Sequence, residues 1–240
     1  MMRQAETDAP GTGRPATRRA RGEGMMPPPH RTLAKAATHR RIVGSASRLI
    51  RRDGLAGSSV ERVMRGAGLT VGGFYAHFPS KHAMDVEVLE DTLAEIRARA
   101  AVRLGDAAGL DWLSETVRHY LSADHRDRPG TGCPLPAVVG DAAHADPRMR
   151  RAIGRFLDQW ADRIASHAPE RGAAGRQRAL ATVALLVGGL TIARGLRGQA
   201  LSDEFLEACT AWALPELRSP STRSSSPRRP PRRRRRPSRP

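Results

Sequence analysis

The chain has 240 residues, of which 39% are hydrophobic and 27% are charged, and its formal net charge is +17. Its two cysteines, Cys133 and Cys209, are too few for a disulfide-stapled scaffold, and so sparse a use of cysteine fits a reducing cytoplasm. The length allows one or two domains.

The positive charge is concentrated at the two ends of the chain. Residues 1–41 contain nine basic and three acidic side chains, and residues 218–240 contain ten arginines and no acid. Residues 42–217 are nearly neutral, with 22 basic and 21 acidic side chains, and they are long enough to bury a core. Basic ends bind any polyanion without reading its sequence, so a specific nucleic-acid function has to be argued from the neutral body.

Neither end has the composition of a folded segment. Residues 1–34 are rich in Pro, Gly and Arg, and residues 219–240 are dominated by Ser, Pro and Arg, so we predict that both are disordered. The first 41 residues contain no apolar run of signal-peptide length. The longest apolar stretch, residues 179–192, is bracketed by Arg178 and Arg194 and is too short to span a bilayer. We expect a buried helix there, no membrane partner, and a cytoplasmic, nucleoid-associated protein.

The neutral body predicts helices throughout, because no segment alternates between apolar and polar residues over a sustained length. A first helix is predicted over residues 35–52, where apolar side chains recur at steps of three and four, and a second begins at Ser58, which forms a capping box with Glu61. A third, short helix begins at Thr70, and a fourth runs from Ser80 to about Arg103. Later helices are predicted near residues 110–123, 134–143, 146–167, 176–197 and 202–218.

The segment 58–81, SSVERVMRGAGLTVGGFYAHFPSK, has the pattern of a helix-turn-helix. Gly66 and Gly68 are expected to permit the tight turn, and Phe74 and Phe78 to anchor the second helix to the core. That second helix enters the major groove in such motifs, while the first braces it across the backbone. The side chains and backbone groups left over are the candidate DNA contacts: Arg62, Thr70, Val71, Gly72, Gly73, Tyr75, His77 and Lys81.

The stretch from about Thr38 to Leu93, and above all GLTVGGFYAHFPSK at residues 68–81, resembles the amino-terminal domain of TetR-type (TetR/AcrR) transcriptional regulators. The resemblance implies backbone contacts from Thr70, Tyr75, His77 and Lys81 and base contacts from residues 71–73. Since glycines at positions 72 and 73 offer little side chain to the bases, shape readout or minor-groove contacts from the Arg-rich arm are alternative sources of specificity.

The same resemblance implies an all-α protein in two parts. A three-helix helix-turn-helix domain over residues 35–96 would be followed by an all-helical ligand-binding and dimerisation domain over residues 97–218, between a basic arm (1–34) and a basic tail (219–240). The implied protein is a homodimeric repressor that binds double-stranded operator DNA and is released by an unidentified small-molecule effector. Helix-turn-helix modules usually read paired half-sites, which independently favours a homodimer.

Two sets of residues in the carboxy-terminal body are candidates for these roles. The last two predicted helices are amphipathic and contain small residues that permit close crossing, as in a four-helix dimer bundle. The candidate dimer contacts are Leu185, Gly188, Gly189, Ile192, Phe205 and Trp212. Side chains that could line a ligand pocket, although each could equally be plain core, are Trp112, His119, Tyr120, Cys133, Phe156 and Trp160.

Cys133 permits two interpretations. It follows a predicted loop containing His125, Arg126 and Arg128 and precedes Pro134, so it could be the N-cap of a helix. A helix N-terminus and nearby arginines would lower the pKa of its thiol, as in a sensor of electrophiles or oxidants. A small buried residue at a turn is the favoured alternative.

Two other classes of function compete with a specific regulator. An enzyme is disfavoured because the chain has no Gly-rich phosphate loop or nucleophile elbow, and a metal site from His119, His125, Cys133 and His144 would need loops to converge, so we expect no metal and no cofactor. The other class is a non-specific DNA-binding protein driven by its tails, since the arginines at residues 232–236 would bind any DNA with a steep salt dependence.

Overall fold

The computed structural model describes residues 30–214, and every regular element in that range is a helix, as expected for an all-α protein. The predicted disordered ends therefore lie outside the described residues, apart from residues 30–34, which belong to the first helix. The α-helices of this range are α1 (His30–Asp53), α2 (Val60–Gly66), α3 (Lys81–Leu104), α4 (Gly109–Tyr120), α5 (Ala123–Asp127), α6 (Leu135–Val138), α7 (Pro147–His167), α8 (Gly172–Gly195) and α9 (Ala200–Ala213). Three 3₁₀ helices, Val71–Ala76, Pro129–Thr131 and Gly140–Ala143, lie between them.

Local capping chemistry fixes the starts of α2 and α3. The N-cap of α2 is Ser59, whose hydroxyl accepts a hydrogen bond from the backbone N–H of Arg62, so the predicted capping box at Ser58 was wrong by one residue. Ser58 is instead fully buried and donates to the Leu55 carbonyl at 2.8 Å. Ser80 caps α3 through the backbone N–H of Ala83, as the Pro-Ser break predicted.

The amino-terminal helices form one compact layer around α1. Ile42, Ala46 and Ile50 of α1 are fully buried and recur at a helical spacing, which explains why this face packs against α2 and α3. Near its carboxy-terminal end, the same helix also contacts α6 and the 3₁₀ helix Pro129–Thr131, as in the Arg51 hydrogen bond to the Thr131 carbonyl. α1 therefore joins the first three helices to the rest of the chain.

In the carboxy-terminal body, α8 packs against α7 on one side and against α9 on the other. α8 is 24 residues long and, by length and composition alone, could cross a membrane. However, nine of its residues are buried in the protein core, among them Leu186 and Leu190 at 0% exposure. A core helix passes the same test of length and composition, and these contacts favour that interpretation.

The predicted loop before Cys133 is mostly helical. α5 and the 3₁₀ helix Pro129–Thr131 occupy it, because Ser122 caps α5 by accepting from the His125 backbone N–H. The predicted helix over 134–143 is two short turns, and that over 176–197 begins four residues earlier, at Gly172. α9 ends at Ala213, and the remainder of the predicted helix to residue 218 lies almost wholly outside the described residues.

Candidate nucleic-acid interface and internal cavity

The 3₁₀ helix Val71–Ala76, hereafter the reading helix, is fixed to the core by two aromatic rings. Phe74 is 0% and Phe78 is 2% exposed, and their ring centroids are 5.5 Å apart. Gly68 adopts φ +66° in the turn that precedes the reading helix, a conformation that favours glycine. The predicted anchoring by the two phenylalanines is therefore confirmed, as is the need for glycine at position 68.

The outer surface of the reading helix is open. Tyr75 is 69% exposed and Val71 is 42% exposed, and a Cβ added at Gly72 would meet nothing within 4 Å. Thr70 lies at the N-cap position with an exposed side chain that makes no capping hydrogen bond. The exposed start of the reading helix therefore offers apolar, hydroxyl and backbone N–H groups. These groups can approach a phosphate or a base edge.

The two predicted basic contacts are held inside the domain. Arg62 donates to the Gly57 carbonyl and to the Asp53 carboxylate, both at 2.5 Å. Lys81 donates to the Leu55 carbonyl at 3.1 Å and to the Asp85 carboxylate at 2.6 Å. Both predicted DNA contacts therefore already have a carboxylate partner within the protein, and either cation would have to exchange it for a phosphate in order to contact DNA.

His77 is half-buried, and the structure places it at the inner side of the reading helix, with its Nδ1 atom buried and unpartnered. Burial, together with the charges of His39 and Lys35, lowers the pKa of His77. A neutral ring is consistent with an uncharged hydrogen bond from this residue rather than an ion pair with phosphate.

Behind this domain, a cavity of about 490 Å³ lies between α3, α4, α7 and the segment 128–133. All six predicted pocket residues line it, namely Trp112, His119, Tyr120, Cys133, Phe156 and Trp160. The ring centroid of Tyr120 is 5.0 Å from that of Trp160. The size and the aromatic lining suit a small organic ligand.

Two side chains on the α4 wall of the cavity have polar atoms without a partner among residues 30–214. The Trp112 indole nitrogen and the Thr116 hydroxyl oxygen are buried and make no hydrogen bond there, while the Tyr120 hydroxyl interacts with the Cys133 thiol. The spacing of four residues places them on one face of α4. Buried polar groups are rarely left unpaired, so this wall is a candidate for polar contact with a ligand.

The structure supports the structural interpretation of Cys133. The residue is 4% exposed, and Pro134, not Cys133, occupies the N-cap position of α6. Burial raises the pKa of the Cys133 thiol, so the reactive thiolate considered above was wrong in its direction. Its backbone N–H donates to His125 Nε2 at 2.9 Å, and burial lowers the pKa of His125 to about 4, so both groups are neutral.

A chain of contacts connects the cavity to the reading-helix domain. Arg51 of α1, buried at the core edge, donates to the Thr131 carbonyl at 2.9 Å and pairs with Glu95. Thr131 lines the cavity. From the other side, Arg194 of α8 donates to the His125 carbonyl at 3.0 Å and the Cys133 carbonyl at 3.3 Å. The segment between α5 and α6 is therefore clamped between both parts of the chain.

The predictions from sequence did not include Arg51 and Arg194, nor the arginines that line the cavity. Arg97 of α3 and Arg163 of α7 line the cavity together with Phe156 and Trp160. On α7, Phe156, Trp160 and Arg163 are separated by four and three residues, a spacing that places them on one face of a helix. This spacing could have indicated Arg163. Among residues 30–214, no group of three or more His, Cys, Asp or Glu side chains could hold a metal ion, and His144 is exposed.

The outer face of α8 and α9 is unusually apolar for a surface. Trp212 is 77%, Leu180 47%, Leu201 45% and Ile192 42% exposed. Leu185, Gly188 and Phe205 are half-buried beside them. Gly189 points the other way, since a Cβ there would lie 2.7 Å from the Cys209 sulfur, so its predicted place in a dimer contact was wrong and its role is close packing of α8 on α9.

Together, the anchored reading helix, the helical body and its internal cavity have the architecture of a helix-turn-helix domain followed by an all-α second domain. A sequence model described as bacterial regulatory proteins of the tetR family matches residues 42–88. The matched residues 42–88 contain the turn, the reading helix and the residues that anchor it.

Individual relatives are distant in sequence but similar in fold. The chain is 23% identical over 128 residues to the HTH-type transcriptional repressor DhaR of Mycobacterium sp. (strain GP1), a match that covers 53% of this chain and 64% of DhaR. The reduced form of Escherichia coli NemR is 20% identical with a TM-score of 0.61, covering 74% of this chain and 95% of NemR. A transcriptional regulator from Saccharomonospora viridis, solved in complex with choline, is 20% identical with a TM-score of 0.62, covering 74% and 95% of the two chains.

Proposed function

We propose that the chain is a sequence-specific DNA-binding transcriptional repressor that acts as a homodimer and leaves its operator when a small molecule fills the internal cavity. The observation that carries the DNA-binding part is the reading helix, whose inner face is fixed by Phe74 and Phe78 while Val71, Gly72 and Tyr75 are open. DhaR, a named repressor, supports the sign of regulation.

The apolar outer face of α8 and α9 supports the homodimer. Exposed apolar patches of this kind commonly mark protein–protein contacts. A second copy of the chain is the occupant we propose, because two such helices from each protomer form a four-helix interface and because a symmetric dimer places two reading helices over paired half-sites.

The clamped segment between α5 and α6 supports control by a ligand. Its residue Thr131 both lines the cavity and accepts the Arg51 hydrogen bond from α1. A ligand that displaces this wall changes the support of α1, on which α2 and α3 are packed. Such a ligand shifts DNA affinity only if it binds the two conformations with different affinity.

The choline complex of the Saccharomonospora viridis regulator supports a small-molecule ligand in a protein of this fold. It does not extend to choline as the ligand here, because two arginines of the cavity wall, Arg97 and Arg163, have no carboxylate partner among residues 30–214 and would repel a cation.

The decisive experiment is selection of random DNA duplexes by the purified full chain at roughly physiological salt, followed by sequencing. We expect an enriched, two-fold symmetric site. Tyr75→Ala, which removes a predicted backbone contact, should weaken binding to the enriched site, while Val102→Ala, which truncates an 84% exposed side chain on α3 outside the proposed surfaces, should not.

The competing function is non-specific binding through the Arg-rich tail and association with the nucleoid by charge alone. Removal of residues 219–240 should lower the affinity for random DNA and reduce its salt dependence, yet leave the enriched site intact. The proposed role of the reading helix is refuted if the full chain enriches no site. It is also refuted if removal of residues 219–240 abolishes the enrichment.

A further inference from the structure

We propose that the ligand of the internal cavity is a flat apolar anion, an aromatic compound that carries a carboxylate or a comparable acidic group, with its charge held between Arg97 and Arg163. The inference deepens the proposed function in that it names the chemical class of the effector, and it rests on the assignment of this cavity as the effector site.

The cavity wall selects for a flat apolar body. Aromatic rings approach from two helices, Trp112 and Tyr120 from α4 and Phe156 and Trp160 from α7. The Trp160 ring centroid is 6.2 Å from that of Phe156 and 5.0 Å from that of Tyr120. Aromatic groups pair at such centroid separations in offset or tilted arrangements, so a planar ligand can pack against several of these rings.

The charge of the wall selects for an anion. Five of the lining side chains are arginines, and three of these have a carboxylate partner in the protein: Arg99 with Glu95 at 2.5 Å, Arg103 with Glu115 at 3.1 Å and Arg128 with Asp124 at 3.0 Å. The charges of these three are offset locally. The preference therefore depends on the remaining two, Arg97 of α3 and Arg163 of α7. Arg97 contacts Gln159, which lies one helical turn before Arg163 on α7.

Neither of the remaining arginines has a carboxylate partner among residues 30–214. Arg97 donates to the side-chain oxygen of Gln159, a neutral amide, and the Arg163 guanidinium lies 5.9 Å from the centroid of the Trp112 ring. Hydrogen bonds from a guanidinium to a carboxylate are stronger than those to a neutral acceptor. A ligand carboxylate at the cavity mouth would therefore replace the amide partner of Arg97 and also meet Arg163.

Among the described residues, the rest of the wall offers a cation no free carboxylate. The single lining carboxylate, Asp124, is engaged by Arg128, and the nearby His125 is neutral because burial lowers its pKa to about 4. Repulsion between a ligand cation and Arg97 or Arg163 would not be offset by any free carboxylate of the wall. The unpaired Trp112 N–H on α4 can only donate, which favours a second acceptor oxygen on the ligand.

The test compares two dyes that differ in one charge: 8-anilinonaphthalene-1-sulfonate and its uncharged counterpart N-phenyl-1-naphthylamine. Both are titrated by fluorescence into the full chain and into Arg97→Gln and Arg163→Gln. The control is Arg155→Gln, which removes the same charge from the same helix α7 outside the cavity, where the residue faces Glu90 at 3.7 Å. The basic ends are the same in every variant, so dye bound to them cancels in the comparison.

We expect each cavity variant to weaken binding of the sulfonate about fivefold or more, while Arg155→Gln changes it by less than about twofold. Binding of the uncharged dye should be the same in all four proteins. Naphthalene-2-carboxylate should displace the bound sulfonate, and naphthalene-2-methanol should not. Arg163→Lys, which keeps the charge, should retain most of the affinity, which separates loss of charge from loss of fold.

Equal affinity for the charged and uncharged dyes, or equal losses in the cavity variants and the Arg155 control, would overturn the proposal. No DNA is present in these titrations, so their outcome is independent of the duplex selection. An enriched operator with no charge preference in the cavity refutes this inference alone. A charge preference without any enriched operator refutes the proposed DNA-reading function alone.

Discussion

The Ser45 hydroxyl lies against the point that a Cβ on residue 66 would occupy, so α1 and α2 can approach this closely only because residue 66 is glycine. The same hydroxyl donates to the Val63 carbonyl at 2.8 Å. Gly66 is the last residue of α2 and does not adopt a positive φ, in contrast to Gly68. Its role is close helix packing, rather than the turn that we predicted from sequence.

Gly66→Ala should therefore destabilise the protein, by about 1–3 kcal/mol, because the added methyl group is forced against Ser45. Ser45→Ala alone should cost about 1 kcal/mol through its lost hydrogen bond. The double variant should lose less stability than the sum of the two, since removing the hydroxyl makes room for the methyl group, and urea unfolding measures all three.

Gly154→Ala is the matched control, because it lies within α7 and a Cβ there meets nothing within 4 Å. It should be neutral or stabilising, by up to about 1 kcal/mol, as for glycine in an exposed helix. If the losses of unfolding free energy from Gly66→Ala and Ser45→Ala simply add in the double variant, the close approach of Ser45 is not the reason that residue 66 is glycine.

Gly72→Ala should separate folding from DNA binding. A Cβ at this exposed position has open space around it, so the melting temperature should stay the same or rise slightly. If DNA approaches the reading helix closely, the same methyl group should weaken binding to the selected operator by about tenfold, roughly 1.4 kcal/mol. Gly140→Ala, equally unobstructed but distant in the chain, should leave operator affinity unchanged in the same gel-shift assay.

Arg51→Met should weaken communication between the cavity and the reading helix. It removes the hydrogen bond to the Thr131 carbonyl and the ion pair with Glu95, and we expect a loss of about 1–3 kcal/mol of stability in urea unfolding. The ligand concentration that releases DNA should also change. The neighbour Arg52, whose side chain is 54% exposed, provides the control Arg52→Met, which should alter neither quantity. A normal ligand response in Arg51→Met would exclude this route.

Trp212→Glu should convert the proposed dimer to monomers, because it places a charge on the apolar face of α8 and α9 at its most exposed large side chain. Analytical ultracentrifugation at micromolar concentration measures the change. Val102→Glu is the control, since that side chain is 84% exposed but lies on α3. A dimer that persists in Trp212→Glu, or a wild-type chain that is already monomeric, would place the interface elsewhere or refute it.

The stability should fall as the pH drops from about 6.5 to 4. The pKa of His125 is lowered from 6.5 to about 4 by burial, so between these values the unfolded chain binds a proton that the folded chain does not. The contribution of His125 is fully present above pH 6.5 and is lost through this window, by about 3 kcal/mol at most. His125→Gln should flatten the pH dependence measured by urea unfolding, whereas His144→Gln, at an exposed position, should leave its slope unchanged.

The local sequence was sufficient to predict the elements that depend on short-range chemistry. The break at Pro79 and Ser80, the turn at Gly68 and the apolar spacing of α1 each act within a few residues, so the helix-turn-helix could be located to within one residue at its caps. The two phenylalanines of the reading helix could likewise be assigned to the core, because apolar side chains on a short segment have no other place to be buried.

Only the tertiary structure decided which chemical groups meet. Sequence could not show that Lys81 and Arg62 are paired within the domain or that Cys133 is buried beside a neutral His125. Nor could it show that Arg97 and Arg163, in the wall of one cavity, lack carboxylate partners within residues 30–214. These properties depend on helices that are distant in the chain, and burial and the distance between charges set the protonation and pairing of each group. The sequence by itself determined an all-helical chain with a reading helix. Packing of α3, α4 and α7 decided the shape and charge of the cavity.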